Sequence, residues 1–447
     1  MHGEATATLV HPLALSLMLI AAVFVASLRR ELVLLPIIAL VCFIPAAQRV
    51  VIFSLDFTML RLLIIVTLTR LALKGELSEI NWSKLDYLVL GWTISITVIF
   101  VVKHGPSALA NRLGGALDVW GMFIIARATI RSHAELVSLI KMIAFLSLPV
   151  LAGFAFERAT QHNPFSIFGG VPEFTPLREG RLRCQGAFHH PIHAGVFWAG
   201  ILPLYFCLWK VSTGTWRVIG SISAVCCVSI IFLSASSTPV IGVAAAMLGL
   251  GLFFCRHQIK LIVVTVVSIL LVLHIVMDAP VWHLIGRIDV AGGSTGYHRY
   301  RLIDAAVGNF NEWWLIGLES TAHWGRQLND ITNHYILQGI RGGIWTLVLF
   351  VLVIIEAMRV VAKLSTAPAI EHNTKIIIWT VWTCLFVHLV CFLAVSYFQQ
   401  INSLWWMTVG LAASMQHKGW QIADRENTDE GSPITTAPAL KQGPNYL

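Results

Sequence analysis

Arginine and histidine side chains are concentrated in two polar stretches of an otherwise apolar chain. The first, 157–191, carries Arg158, Arg178, Arg181 and Arg183. The second, from about 277 to 334, carries Arg287, Arg299, Arg301, His323, Arg326 and His334. A guanidinium forms two parallel hydrogen bonds to a phosphate or a carboxylate. An imidazole changes its charge near neutral pH. The two stretches therefore predict a site that binds a diphosphate-like anion and moves a proton.

The end of the first stretch has two notable patterns. Arg181 and Arg183 are two residues apart, so in an extended backbone their side chains point the same way. Three histidines lie around Pro191, namely His189, His190 and His193. Pro191 favours an extended approach and separates the histidines. No carboxylate or thiolate cluster accompanies them, so hydrogen-bonding histidines at the membrane interface are favoured over a metal site.

The second stretch leads into an apolar run. Arg299 and Arg301 begin an apolar-periodic segment that predicts a short amphipathic helix; arginines that reach lipid headgroups are the alternative. Asn333 is a predicted N-cap, which places His334 in the first helical turn, where anions are favoured and an imidazole stays uncharged. A purely structural cap is the alternative. Arg341 lies two turns deeper on the same face, where a charge requires a polar cavity.

Some polar residues lie within or between the apolar runs. Asp56, Arg61 and Asp118 are candidates for the lining of a cavity, and a packing ion pair between Asp56 and Arg61 is the alternative. The Gly-Gly-Ser-Thr-Gly segment at 292–296 lacks the ending of a phosphate-binding loop and predicts a flexible hinge. The small residues of 233–242 suit close helix packing.

Composition restricts the class of protein. The chain has 447 residues, of which 57% are hydrophobic and only 12% charged, whereas a soluble domain has about 25% charged residues. The mean hydropathy is +0.75. The net charge of +8 is explained by basic residues that flank membrane spans, so the expected partner is the lipid bilayer and not a nucleic acid. Seven of the eight cysteines lie in apolar runs. This distribution does not indicate a set of structural disulfide bonds.

Thirteen apolar runs approach the roughly 20 residues that span a bilayer. They predict an all-α polytopic membrane protein with 12–13 transmembrane helices, near 13–28, 32–47, 57–73, 85–102, 114–130, 136–156, 192–211, 215–233, 238–255, 259–277, 335–362, 375–396 and 401–417. The N-terminus lacks the basic region of a cleaved signal peptide, so the first run is expected to remain.

The basic residues predict the orientation. Every connection after an odd-numbered run is basic, which predicts that these connections are cytoplasmic. The long loops 157–191 and 278–334 follow even-numbered runs and are therefore expected on the extracytoplasmic side. Residues 1–417 are predicted to form a single transmembrane domain, and 418–447 a disordered cytoplasmic tail.

From about residue 180 to 350, the order of segments resembles the O-antigen ligase and polymerase superfamily of bacterial inner-membrane glycosyltransferases. The matching segments are R-x-x-G-x-F-x-H-P at 183–191, S-S-T-P at 236–239, H-R-x-x-L-I-x-x-A from His298, W-W-L-I-G-L at 313–318, and N-H-Y-I-L followed by G-G-I from Asn333.

The resemblance implies a glycosyltransferase-C-like helical fold with a large extracytoplasmic loop. It implies polysaccharide or lipopolysaccharide biosynthesis on the periplasmic face of the inner membrane, with a glycan on undecaprenyl diphosphate as donor and a glycan or lipid as acceptor. The implied diphosphate-binding residues are Arg183 and Arg299, with Arg301 adjacent. Arg341 is added as a candidate because it lies on the same helical face as His334. Further candidates are Arg181, Arg287, Asp56 and Arg61. His334 is the implied catalytic residue, acting on the acceptor hydroxyl.

The implied mechanism needs no cofactor, nucleotide or obligatory metal. Arginines neutralise the leaving diphosphate, a neutral His334 takes the acceptor proton, and direct displacement inverts the sugar carbon. Family members commonly have an arginine where this chain has Ser237. Either Arg301, Arg287 or another loop arginine supplies that charge, or the chain is a divergent member with a different donor. A polymerase of the same family is one alternative. A polysaccharide or lipid transporter is another, but the repeated halves or paired broken helices of transporters are not visible in the sequence.

Overall fold

The computed structural model describes residues 8–52, 55–287 and 295–422. The side chain of Arg287, most of the predicted hinge at 292–296, and residues 423–447 of the predicted tail lie outside the described residues and side chains.

The described residues are predominantly helical. They form the α-helices α1 (Pro12–Ser27), α2 (Leu34–Phe43), α3 (Met59–Leu73), α4 (Lys84–His104), α5 (Ala108–Thr129), α6 (His133–Thr160), α7 (Pro191–Val211), α8 (Gly214–Leu233), α9 (Ser237–Gly251), α10 (Ile259–Val276), α11 (Thr295–Gly308), α12 (Phe310–Trp313), α13 (His334–Ser365), α14 (His372–Phe392), α15 (Gln400–Ser414) and α16 (Gly419–Ile422). Each predicted apolar run overlaps one of these helices, and α11 is the helix predicted in the second polar stretch.

Two short antiparallel hairpins accompany the helices. Strands β1 (Arg49–Ile52) and β2 (Leu55–Thr58) pair in the register Val50 with Phe57. Strands β3 (Leu177–Arg178) and β4 (Arg181–Leu182) pair within the first long loop.

Seven helical segments in the described part of the chain are long and apolar enough to cross a membrane. These are Lys84–His104, His133–Thr160, Pro191–Val211, Gly214–Leu233, Ser237–Val276, His334–Ser365 and His372–Phe392. The other helices that overlap predicted runs do not meet both criteria, and they include α5 and α15. The chain is an all-α polytopic membrane protein.

Local sequence explains where several helices begin. Pro191 opens α7, and the side chain of His190 accepts a hydrogen bond from the backbone N–H of Ile192 at 3.1 Å. Asn333 caps α13 by accepting from the N–H groups of Tyr335 and Ile336 at 3.0 and 3.1 Å. Both caps satisfy N–H groups that have no partner within the helix. The sequence predicted the cap at Asn333 and the start of a helix at Pro191, but not the cap by His190.

The helices differ in how deeply they are packed. Most residues of α7 and α14 and almost all of α15 are buried, so these helices form the centre of the bundle. In α10, by contrast, no residue is buried although the helix is apolar all round. A helix of this type suits contact with lipid on every side.

Helix α13 is broken near its beginning. Gly343 has a φ of +69°, a conformation that glycine adopts more readily than other residues. The loop after α12 inserts at the break, where Leu318 N donates to Ile340 O at 2.8 Å and Ile344 N donates to Trp314 O at 2.7 Å. The backbone groups freed by the break are thereby satisfied within the protein, as membrane-embedded backbone requires.

The two long loops lie at the same end of the helix bundle. Arg183 of the first loop and Arg299 of the second each donate a hydrogen bond to the turn that joins α8 to α9. This agrees with the prediction that the loops share one side of the membrane. Which side that is remains a prediction from the basic residues.

We predict that Gly343→Ala destabilises the protein by at least about 1–2 kcal/mol, the penalty of left-handed backbone for an L-residue. A Cβ at Gly343 would also lie 2.3 Å from the carbonyl oxygen of Leu315. The thermal midpoint of the detergent-purified protein, followed by size-exclusion chromatography, measures the effect. Gly251→Ala is the control, because that Cβ would meet open space. Equal midpoints for the two variants would contradict the structural role of the break.

Candidate anion-binding site

Two guanidinium groups converge on the turn between α8 and α9. Nη2 of Arg183 donates to Oγ of Ser236 at 2.7 Å, and Nη2 of Arg299 donates to Oγ1 of Thr238 at 3.0 Å. The two arginines come from the two different polar loops. They contact the residues directly before and after Ser237. Ser237 is the position where members of the family that the sequence resembles commonly have an arginine.

The turn itself presents the beginning of a helix. Ser236 is the N-cap residue of α9, but its side chain makes no capping hydrogen bond to the helix; its hydroxyl donates to Ser234 O and accepts from Arg183. Gly195 of α7 packs so closely on this turn that a Cβ there would lie 2.5 Å from the Pro239 ring. The uncapped N-terminus of a long helix adds a partial positive charge to the two guanidinium groups.

Neither guanidinium has a carboxylate within salt-bridge distance among the described side chains. Burial and the neighbouring Arg178 lower the pKa of Arg183 below its ordinary value, against the opposing influence of Glu179. Burial likewise lowers the pKa of Arg299. A guanidinium nevertheless remains charged at neutral pH. The turn therefore carries positive charge that an anionic ligand would neutralise.

Five other buried or half-buried arginines are paired with carboxylates, whereas the half-buried Arg112, Arg256, Arg301 and Arg341 have no salt bridge among the described side chains. The pairs are Arg30 with Glu135, Arg61 with Asp118, Arg70 with Glu76, Arg127 with Asp86, and Arg131 with Glu79. A charge in a membrane protein is normally balanced in this way. What sets the α8–α9 turn apart is that two guanidinium groups without carboxylate partners contact the same short turn, which favours an anionic ligand there.

A buried carboxylate shapes the loop that delivers Arg183. The side chain of Glu157, fully buried at the end of α6, accepts hydrogen bonds from Gln185 N and Gly186 N at 3.1 and 2.9 Å. Asn163 donates to the carbonyl of Gly186 at 2.8 Å. These contacts hold 183–190 in one conformation and thereby position the guanidinium.

His190 and His193 follow Arg183 along the chain. Burial, then Arg183 and His189, lower the pKa of His190 to about 4, so its ring is neutral at pH 7. Nδ1 of His190 accepts from a backbone N–H, which leaves the proton on Nε2 as a donor. Nε2 of His193 lies 3.0 Å from Ser396 O. No group of three or more potential metal ligands occurs among the described residues.

His334 lies in an aromatic enclosure. Its side chain is buried, stacked on Phe392 with ring centroids 4.6 Å apart. Nδ1 accepts from Tyr397 N at 3.0 Å, and Nε2 lies 3.0 Å from the side-chain amide of Gln338. Because Nδ1 accepts, Nε2 of a neutral ring carries the proton, and the Gln338 oxygen is its natural partner. Both ring nitrogens are thus engaged, so proton transfer at His334 requires one of these contacts to open.

Arg341 lies on the same helix as His334, directly before the break in α13. It is half-buried, and among the described side chains it has no hydrogen-bond or salt-bridge partner. Arg341 is thus a further guanidinium without a counterion in the described part of the chain, on the same helix as His334.

Several predicted residues lie away from the turn. The guanidinium of Arg301 packs near Gly325 and lies 5.9 Å from the ring of Tyr297, on the other side of α11 from Arg299. Arg181 is exposed on strand β4. Of Arg181 and Arg183, only Arg183 reaches the turn. Of Arg299 and Arg301, only Arg299 does.

Asp56 and Arg61 form a separate cluster. Arg61 makes two hydrogen bonds to Asp118, from Nε at 3.0 Å and Nη2 at 2.7 Å. Arg61 also donates to the backbone carbonyl of Asp56, so the side chains of Asp56 and Arg61 are not a simple ion pair. Asp56 lies 3.4 Å from Arg49 instead.

The sequence did not identify every residue of this site. Ser236 and Thr238 were interpreted as small packing residues, yet they hold the two guanidinium groups. Glu157 was not singled out; its signal is an acidic residue at the end of a long apolar run, directly before a polar loop. Gln338 and Tyr397, the partners of His334, gave no such signal because their roles depend on packing.

No protein-family model matches the chain, and no curated protein sequence matches it. The fold and the site by themselves define a class: an all-α polytopic membrane protein whose polar loops carry two arginines without carboxylate partners to the beginning of helix α9.

We predict that Glu157→Gln destabilises the protein by about 1–3 kcal/mol, because an amide cannot accept all the backbone hydrogen bonds made by the carboxylate. Released from its anchor, the loop should become sensitive to trypsin at Arg183, which is buried in the wild type. The thermal midpoint and the cleavage rate measure both effects. Glu173→Gln is the control, since Glu173 is an exposed carboxylate of the same loop. Unchanged cleavage in Glu157→Gln would show that the carboxylate does not order the loop.

Proposed function

We propose that this protein transfers a glycan from an undecaprenyl-diphosphate carrier to an acceptor hydroxyl at the periplasmic face of a bacterial inner membrane, as an O-antigen ligase-like glycosyltransferase. The single observation that carries the proposal is the pair of guanidinium groups without carboxylate partners at the α8–α9 turn. A diphosphate is the ligand that this arrangement suits best, because it offers several oxygens to two forked donors and a helix N-terminus.

The proposed catalysis is mainly electrostatic. As the bond between the sugar and the diphosphate breaks, negative charge grows on the diphosphate oxygens. Arg183 and Arg299 are already held by Ser236 and Thr238, so they stabilise that charge without rearranging. The neutral His190 adds a nearby N–H donor. Electrons from the acceptor oxygen form the new glycosidic bond as those of the old bond leave with the diphosphate.

His334 is assigned to the acceptor side of this reaction. Its ring is neutral in the tautomer with Nε2 protonated, given the hydrogen bond from Tyr397 N to Nδ1. Acceptor binding would have to displace that N–H before Nδ1 could take a proton. His334 therefore also has a positioning role, since it ties the beginning of α13 to the 396–400 connection.

Two alternatives remain distinct proposals. A polymerase of the same family would use the same donor site with another lipid-linked glycan as acceptor. A transporter is favoured by one observation, the break in α13 at Gly343. Transporters commonly pair two broken helices, and α13 alone is interrupted by non-helical backbone among the described helices.

We predict that Arg183→Gln and Arg299→Gln each lower the initial rate of glycan transfer by about a hundredfold or more, the loss typical of removing one preorganised donor. The rate is measured in membrane vesicles from a strain that lacks the native gene, with labelled lipid-linked glycan as donor.

The matched controls are Arg181→Gln and Arg301→Gln, each two residues from its test position. Both should keep most of the transfer rate, because neither guanidinium reaches the α8–α9 turn. A double Arg183→Gln, Arg299→Gln variant that transfers glycan at the wild-type rate would remove the proposal.

We predict that His334→Ala lowers glycan transfer by about a hundredfold or more, the usual contribution of general base catalysis. His388→Ala is a demanding control: its buried ring also bonds Tyr397, from Nδ1 to the hydroxyl at 2.9 Å. His388→Ala should destabilise the protein about as much as His334→Ala does, but it should keep the transfer activity per folded molecule. Equal loss of activity in both variants, in proportion to lost stability, would reduce His334 to a structural residue.

A further inference from the structure

A polar cavity of about 180 Å³ lies between α2, α3, α5 and the beginning of α15. Its polar lining includes Arg49, Asp56, Arg61, Asp118, Gln399 and Asn402. Apolar side chains such as Leu40 and Met59 complete the wall. A cavity of roughly 150 Å³ accommodates a six-membered ring, so there is room for one ring.

The charges in this cavity cancel. Arg61 holds Asp118 through two hydrogen bonds, and Arg49 lies 3.4 Å from Asp56. Two cations therefore face two anions among the described lining residues. This is the opposite of the α8–α9 turn, and it gives an anionic ligand no advantage here.

The cavity nevertheless offers open hydrogen-bonding groups. Oδ1 of Asp56 is buried without a hydrogen-bond partner. The side-chain amides of Gln399 and Asn402 make no hydrogen bond to any described residue, although both line the cavity. Each amide provides donors and an acceptor, and an unsatisfied buried oxygen favours a ligand that donates to it. The cavity thus suits a neutral ligand with many hydroxyl groups.

The 396–400 connection joins the cavity to the anion-binding site. Gln400 donates to Ala187 O at 3.0 Å, within the loop that delivers Arg183. Ser396 O lies 3.0 Å from Nε2 of His193. A ligand in the cavity is therefore separated from the histidines and the first loop by a single short connection.

We propose that this cavity binds one neutral sugar ring of a glycan substrate. Hydroxyl groups of a pyranose both donate and accept, which matches Asp56 Oδ1 and the two amides, while its C–H faces match the apolar wall. The assignment of the sugar to a transferred or accepting glycan rests on the proposed function. The capacity to bind a sugar stands on the cavity alone.

Saturation-transfer NMR on the full-length protein tests the proposal directly. The protein is placed in phosphatidylcholine nanodiscs, because maltoside detergents would themselves supply sugar. The probes are the methyl glycosides of glucose, galactose and N-acetylglucosamine, with glucuronate as the acidic comparison. At least one neutral glycoside should bind, and binding should weaken about threefold to tenfold in Gln399→Ala and Asn402→Ala, the effect of one lost hydrogen bond.

Gln327→Ala is the matched control, since Gln327, like Gln399, has a positive φ and is exposed but does not line the cavity. It should bind as the wild type does. Arg183→Gln should lose transfer yet keep glycoside binding, which separates failure of the transferase proposal from failure of this one. The sugar site is overturned if no neutral glycoside binds, if glucuronate binds in preference, or if Gln399→Ala and Asn402→Ala bind as tightly as Gln327→Ala.

Discussion

Positive charge without a counterion, held inside a membrane protein, is the constraint on which the rest of this structure depends. At the α8–α9 turn Arg183 is buried and Arg299 is half-buried, and neither has a carboxylate partner among the described side chains. Desolvated guanidinium groups are unfavourable unless something compensates them. Two hydroxyl groups supply part of that compensation, and a buried carboxylate at Glu157 fixes the loop without neutralising the charge. In the proposed function, a bound anion compensates the remaining positive charge.

The 396–400 connection explains how separate helices contribute to one region. It contacts His193 at the beginning of α7 and His334 at the beginning of α13, and Gln400 reaches the first loop. These contacts are backbone hydrogen bonds to side chains, so they restrain the rings without adding charge. The imidazoles are consequently oriented by a single short segment. The same segment therefore contacts both the histidines and the first polar loop, which carries Arg183.

The α8–α9 turn and the cavity beside α3 are both polar, but they differ in net charge. The α8–α9 turn is cationic, whereas the cavity beside α3 balances each arginine with an aspartate. A glycan linked to a diphosphate has the same division, with a charged leaving group and uncharged rings. Under the proposed function, the turn takes the charged leaving group and the cavity takes one uncharged ring.

The sequence by itself determined the helices, since apolar length, capping residues and Pro191 act locally, and every predicted apolar run overlaps a helix. It also indicated that Arg183, Arg299, His334 and Arg341 stand apart from an apolar background. It could not show which of Arg299 and Arg301 contacts the α8–α9 turn. The rotation of α11 and the loop around Gly325 decide which guanidinium reaches Thr238. Nor could it show the break at Gly343 or the enclosure of His334, which arise when the 313–318 and 396–400 segments pack against α13. Local propensities depend on neighbours in the chain, whereas charge pairing and burial depend on neighbours in space, and only the tertiary structure supplies those.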